Sequence, residues 1–436
     1  MDPATDIPYK SPDLSRPALL LIVSDTVLQG ARYAFVLYLG YYSLPSLGSF
    51  LFGAALGAML AVVVDFGINQ HWIRLDASDL ALTRFSFIRV LSAKTGLSML
   101  GMVMVIGVAA IGLWPVEAIP AMAAGLFLAL HQGLAETCEA IALARHQYRL
   151  ASLFRILFSL AMYVFPLVFG LVLTARDGDP VIYGVLQSAS VAGLILSCCY
   201  AWYLGGSLPT NPSGTGYGRA WWDARWLGVN QTAIVVDVRA PLVILGIMLG
   251  ETAVGMYGLV QRTTAIVELA WASLSKLLLK SYAEIASAGG GTEVRRRMLA
   301  AGKVTGLIMV CVTISAWIVT LYLQQTMTLS EETAIALSLL RWALVAISLS
   351  SLKRPLIAGL LALYQERVVS RINVLSAAVG IALIPLLVLS LGIWGPVVGW
   401  ILLEGAACLL LIRHFFSIPS APRSNLRDPM PERAGI

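Results

Sequence analysis

Between residues 17 and 416 the chain is a nearly unbroken series of apolar runs separated by short polar breaks. Each is about as long as the roughly 20 residues that a helix needs to cross a bilayer. Twelve runs can be drawn, at 17 to 39, 46 to 70, 94 to 114, 119 to 144, 152 to 174, 181 to 204, 226 to 249, 254 to 282, 303 to 323, 333 to 363, 370 to 391 and 396 to 416. In lipid every backbone amide and carbonyl must be satisfied inside the crossing segment, so this pattern predicts an all-α polytopic membrane protein. Charged residues make up only 12% of the chain, against roughly a quarter of a soluble domain. The leading MDPATDIPYKSPDLSR is polar and carries no basic region ahead of a small-residue cleavage site, so it is not read as a cleavable signal peptide. The first span is expected to stay as an anchor.

Basic residues give the orientation, because Lys and Arg collect on the cytoplasmic side of membrane spans. With the N-terminus inside, cytoplasmic segments and the adjoining span ends hold 21 of the 30 Lys and Arg residues, including Arg74, Arg84, Arg89, Arg145, Arg149, Arg155 and the run Arg295-Arg296-Arg297. The outside loops hold one, Arg176. Removing one span would invert every later loop, so the asymmetry supports both the count and cytoplasmic termini. The net charge of +6 then follows from the inside bias and from cations within spans, and does not point to nucleic acid.

The longest polar break, GGSLPTNPSGTGYGRAWWDAR, clusters Gly, Pro, Ser and Asn as a linker does. It predicts a cytoplasmic tail over 1–16, an N-lobe over 17–204, a linker over 205–225, a C-lobe over 226–416 and a second tail over 417–436. Six spans per half place both halves in the membrane in the same direction, as in transporters with parallel repeats. A degenerate internal similarity agrees. Span one carries Asp25 and Arg32 and ends in Leu39-Gly40, while span seven carries Asp237 and Arg239 and ends in Leu249-Gly250.

Fifteen ionisable residues lie within the spans. The cations are Arg32, Arg239, Arg262, Lys276, Lys280, Arg341, Lys353 and Arg354; the acids are Asp25, Asp65, Glu136, Glu139, Asp237, Glu268 and Glu404. Each mid-span Asp or Arg is disfavoured by roughly 2.5 to 3.5 kcal/mol on insertion scales, so such residues usually face a bundle interior or a hydrated cavity. Asp25 and Arg32 are seven residues apart and share one helix face, with Gln29 between them. Asp237 and Arg239 are two apart and point in nearly opposite directions, so they are not expected to line one cavity together. Pro241 removes the amide that would bond the Asp237 carbonyl, which predicts a bend. The candidate binding residues are Arg32, Arg239, Arg262, Arg341, Asp25 and Asp237. For each, the alternative is a packing role through ion pairs between helices. Arg155, Lys276 and Lys280 are read as snorkelling to the interface. Lys353-Arg354-Pro355 is either a cytoplasmic boundary or a second kinked site. His131 and Glu136 either exchange a coupling proton or serve structure.

Several chemistries find no residues to carry them. There is no Gly-x-x-x-x-Gly-Lys-Ser/Thr for nucleotide binding, and Cys138, Cys198, Cys199, Cys311 and Cys408 all fall in spans without metal-ligand spacing. The outside loops are too short to house a catalytic site. No enzyme activity, cofactor or metal is expected.

Three patches resemble the polysaccharide transporter branch of the multidrug/oligosaccharidyl-lipid/polysaccharide exporter superfamily, the Wzx-type O-antigen and exopolysaccharide flippases. They are VVVDFGINQHWIRLDAS at the end of span two, LVILGIMLGETAVGMYGLVQRTTAIVELAWASLSKLLLKSYAEIA across spans seven and eight, and LGIWGPVVGWILLEG in the last hairpin. One departure is LLLKSYAEI, where span eight of the family leads toward a Pro. The resemblance implies two pseudo-symmetric six-helix lobes around a central cationic cavity. It also implies flipping of a polyprenyl-diphosphate-linked oligosaccharide across a bacterial inner membrane, alongside a glycan polymerase and glycosyltransferases, with a proton or sodium ion as coupling ion. On that reading Arg32, Arg239, Arg262 and Arg341 attract the diphosphate and sugar, since Arg can fork two hydrogen bonds to phosphate. Asp25 and Asp237 balance charge or carry the coupling ion. The competing reading is an ion-coupled multidrug-type antiporter of the same superfamily. Cation export would favour an acid-dominated cavity, and eight cations against seven acids lean the other way.

Overall fold

The structure is a computed structural model that describes residues 15–69, 72, 84–145, 147–173, 180–206, 222, 224–287, 291–326, 330–363 and 365–417. Outside the described residues lie 1–14 and 418–436 of the expected tails, 207–221 and 223 of the expected linker, Arg176 and the whole IRLDAS stretch with Arg74, together with the side chains of Glu268, Lys276 and Lys280.

The described residues form twelve helical rods. The first six are α1 (Ser15–Tyr42), α2 (Leu44–Asp65), α3 (Arg84–Val108), α4 (Ile119–Ala144), α5 (Tyr148–Ser159, continued through a π turn, Leu160–Val164, into Phe165–Leu173) and α6 (Pro180–Gly206). The second six are α7 (Arg225–Leu249), α8 (Glu251–Ser287), α9 (Gly291–Thr326), α10 (Glu331–Ala362), α11 (Glu366–Leu391) and α12 (Gly395–Ser417). Local chemistry sets several ends. The Ser43 hydroxyl accepts from the Ser46 amide at 3.3 Å to cap α2, and Ser330 caps α10 by accepting from the Thr333 amide at 3.3 Å. The turn from α7 to α8 passes through Gly250 at φ 84°, a conformation that only glycine adopts cheaply.

The rods pack in two sets with the same pattern. α1 lies on α5 as α7 lies on α11, α2 on α4 as α8 on α10, and α4 on α6 as α10 on α12. An offset of six helices therefore maps one set onto the other, giving two pseudo-symmetric lobes. Within the first, Gly53 and Gly57 on α2 let backbones touch: a Cβ at Gly53 would stand 1.9 Å from the Met122 carbonyl oxygen on α4. Small residues four apart are the usual means of such close packing in membranes.

Across the lobes, α2 runs against both α7 and α8. At the end where α2 and α8 begin, a Cβ on Gly48 would lie 1.8 Å from the Glu251 carbonyl oxygen, and the Ser49 hydroxyl donates to Glu251 Oε2 at 2.6 Å. The lobes are sealed there. At the opposite end a separate apolar cluster, including Tyr282, Met298, Leu356, Leu360, Leu411 and Phe415, knits the second lobe together.

Two differences from the sequence expectations stand out. α8, with 37 residues, is about 55 Å long, well beyond the roughly 30 Å hydrocarbon layer, because its far end packs on α9 and α10 instead of stopping at the interface. α10 continues through Lys353-Arg354-Pro355 to Ala362, so that triplet is no helix boundary. Contacts with neighbouring helices let the rod tolerate the missing proline donor.

Candidate functional site

Six helices, α1, α7, α8, α10, α11 and α12, enclose a cavity of about 600 Å³. Its ionisable lining is Arg32, Arg239, Arg262, Lys353 and Arg354 against Asp237 and Glu404. Five bases against two acids leave a formal excess of three positive charges. Gln29, Gln261 and Asn373 add uncharged polar groups, and Tyr257 and Trp400 add aromatic wall.

Arg32 enters from the first lobe and is 8% exposed. Its Nε donates to Tyr163 Oη at 3.0 Å, a terminal nitrogen donates to Gln132 Oε1, and the guanidinium lies 5.4 Å from the Tyr163 ring centroid. Gln132 is fixed in turn by donating to Glu136 Oε1 at 2.9 Å. Tyr163 sits in the π turn of α5; one extra residue in a turn re-aims a side chain, and such bulges are frequent at functional sites.

Arg239 on α7 and Arg262 on α8 face Arg32 from the second lobe. Neither has a hydrogen-bond or ion-pair partner among the described residues. All three arginines also line a smaller recess of about 30 Å³, walled by Val36, Phe50, Ala54, Leu128 and Ala129. Deeper in the second lobe, Lys353 meets Glu404 Oε2 at 2.5 Å, out of line for a hydrogen bond. Gln261 donates to the Val238 carbonyl at 2.8 Å, beside Pro241, which sits inside a continuous α7.

The six candidate residues thus part company. Arg32, Arg239, Arg262 and Asp237 are brought to the cavity. Asp237 and Arg239, expected on opposite sides of α7, both line it; the cavity wraps that helix and the long Arg239 side chain also reaches the recess. Asp25 and Arg341 are not part of its lining. Asp25 accepts from Arg155 at 2.7 Å, and Arg341 donates to Ser338 Oγ at 2.8 Å with its guanidinium 5.9 Å from the Trp317 ring centroid.

Arg155, read as snorkelling, instead forks onto Glu139 and Asp25 inside the first lobe. Lys94, at the start of the third expected span, is buried and donates to Asp65, Asn69 and Thr137. The buried His131 packs edge-on against Phe127 at 4.6 Å. Sequence reasoning did not single out Tyr163, Gln132, Gln261 or Asn373. A polar residue recurring on one face of α4, Gln132 then Glu136, was the available signal for the first pair.

No family model matches the sequence, and no curated protein matches it. Solved structures do match in fold. An inward-facing conformation of a multidrug resistance MATE family transporter of the MOP superfamily is similar over 92% of this chain and 98% of its own, with TM-score 0.69 and 14% identity. An outward-facing conformation of such a transporter gives TM-score 0.57 over 92% of this chain and 94% of its own, at 14% identity. A MOP superfamily transporter from Pyrococcus furiosus, described by the reverse polarity of its binding pocket, is similar over 92% and 95% of the two chains, with TM-score 0.61 and 13% identity. The chain has the twelve-helix, two-lobe fold of these transporters.

Proposed function

We propose that this protein, built on the MATE-type transporter fold, is an alternating-access exporter whose substrate is anionic: a polyprenyl-diphosphate-linked oligosaccharide carried to the outer leaflet of a bacterial inner membrane. The observation that carries this is the charge of the cavity, with Arg239 and Arg262 unpartnered among the described residues and Arg32 held ready by Tyr163 and Gln132. Arginine forks suit a diphosphate, and amides and aromatic side chains suit a sugar. A seal at the Gly48–Glu251 end, with the higher TM-score to an inward-facing neighbour, fits a state open toward the cytoplasm, where a lipid-linked substrate would load. Both termini would be cytoplasmic, and a glycan polymerase and glycosyltransferases would act on either side of the step. A proton or sodium ion is the candidate coupling ion, with Asp237 and Glu404 as the acids facing the cavity.

A second reading, an ion-coupled multidrug-type antiporter, is favoured by the names of the structural neighbours. The neighbour with a reversed pocket polarity supports treating cavity charge as the better guide. Gene deletion followed by mass spectrometry of membrane lipids separates the two. Accumulation of a polyprenyl-diphosphate oligosaccharide, cleared by the wild-type gene and not by Arg239→Gln or Arg262→Gln, is expected. Unchanged lipid-linked sugars with altered sensitivity to cationic compounds would give the site to an antiporter.

A further inference from the structure

We propose that the recess between Arg32, Arg239 and Arg262 is a binding site for one small inorganic anion of chloride size, which holds the junction of the lobes when no substrate is present. The recess shares its three arginines with the large cavity it adjoins and differs in having no acid in its lining. Its polar lining consists of the three arginines with Gln132 and Tyr163, and no carboxylate is part of it. The guanidiniums lie close enough to repel one another.

Arginine keeps its proton even when buried; the Glu136 carboxylate reaches Arg32 only through Gln132, and Arg239 and Arg262 have no carboxylate partner among the described residues. The acceptors that Arg32 does have, Gln132 Oε1 and Tyr163 Oη, are uncharged. The carboxylates of the main cavity are placed elsewhere, and Glu404 is already in contact with Lys353. Arg32 is buried, and Arg239 and Arg262 are half-buried without a partner among the described residues; charge drawn even partly out of water without compensation is costly. A bound anion removes that cost.

Size and surroundings select the anion. The recess measures about 30 Å³, and roughly 10–15 Å³ is enough to seat a water. A single-atom anion fits, whereas a diphosphate with its sugar has to lie in the 600 Å³ cavity. The remaining walls, Val36, Phe50, Ala54 and Leu128 among them, are apolar and offer nothing to a strongly hydrated ion. Donors come from α1 on one lobe and from α7 and α8 on the other, so the anion would bridge the lobes. Resting on the diphosphate reading above, the same arginines would exchange the small anion for the incoming phosphate.

The test is thermal unfolding of the purified full chain, followed by tryptophan fluorescence, with chloride replacing gluconate at constant ionic strength. A saturable rise of a few degrees in Tm is expected for the wild type. Arg239→Gln and Arg262→Gln should lose the saturation, and Arg296→Gln, on the surface outside the spans, should keep it. No saturable response in the wild type, or an equal one in the two variants, overturns the site. Should either variant not fold, bromide soaked into wild-type crystals gives an independent answer by anomalous scattering: a peak between the three arginines supports the site, and none overturns it. Adding inorganic pyrophosphate then separates the two proposals. Competition with chloride supports exchange, while saturable chloride binding indifferent to pyrophosphate keeps the anion site and overturns the diphosphate reading.

Discussion

The two lobes share a packing pattern and use their charges in opposite ways. In the first, Arg155 is clamped by Glu139 and Asp25, and Lys94 by Asp65, Asn69 and Thr137, while Arg32 alone of its buried cations turns to the cavity among the described residues. Its charges tie helices to one another: Arg155 links α5 to α4 and α1, and Lys94 links α3 to α2 and α4. In the second, Lys353 pairs with Glu404 at the cavity wall, but Arg239 and Arg262 have no partner among the described residues. Every such residue bears a similar cost of insertion. Where the cost is offset within the lobe, the charge is structural; where it is left open toward a cavity, the compensation has to arrive from outside.

The largest test of this contrast is Lys94→Met. It leaves Asp65 in place without its cation, and removing one partner of a buried pair destabilises by about 3–5 kcal/mol. The double variant Lys94→Met with Asp65→Leu should recover most of that loss, since replacing a buried pair with apolar residues is often neutral. Tm measured in detergent reads both. A Lys94→Met protein as stable as wild type would end the structural reading of the first lobe's charges.

Glycine contacts sharpen the same comparison. Gly53→Ala puts a methyl into the Met122 carbonyl within one lobe, and overpacking of that kind costs about 1–3 kcal/mol. Gly255→Ala strikes the Leu44 carbonyl between the lobes, where rigid-body separation can relieve the clash. It should lower Tm less than Gly53→Ala, and should raise the labelling by an impermeant maleimide of a cysteine placed at Ser49. Equal loss of Tm with no change in labelling would mean the two contacts are alike.

How far this was readable in advance depended on whether a feature is local. Twelve spans, the pairing of halves and the residues Arg32, Arg239, Arg262 and Asp237 follow from runs of hydropathy and from charges that lipid would reject. What separated Asp25 from them was an arginine 130 positions away, and no spacing along α1 announces Arg155. The same applies to Tyr163, whose orientation depends on a π turn that the apolar stretch LAMYV does not advertise. Helical-wheel geometry also misjudged Asp237 and Arg239, because it treats a cavity as a flat face when a long side chain can reach around the helix.

Arg262→Gln is the converse of Lys94→Met. Removing one of three mutually repelling cations should leave Tm unchanged or raised at low chloride, while transport falls tenfold or more, equivalent to about 1.4 kcal/mol. Clearance of the lipid-linked substrate in the deletion strain gives the second reading. A variant that lost stability and kept transport would place Arg262 with the structural charges.

The smallest effect is expected where an acid and two bases meet in water. At the start of α9 Glu293 accepts from Arg296 and Arg297, each at 2.9 Å, and those hydrogen bonds hold its carboxyl below the ordinary value of 4.5. A depressed value in the folded state means that the contribution is present at neutral pH, persists down to about 4.5, and is lost as pH falls through the lowered value. Exposed pairs of this kind are screened by salt and add little. Glu293→Gln should therefore leave Tm at pH 7 within error of wild type, and flatten only the acid end of the Tm profile below pH 4.5. The chemistry is that of the Arg155 cluster, one sign facing two of the other, so a large loss at pH 7 would mean that burial is not what divides structural from idle charges in this protein.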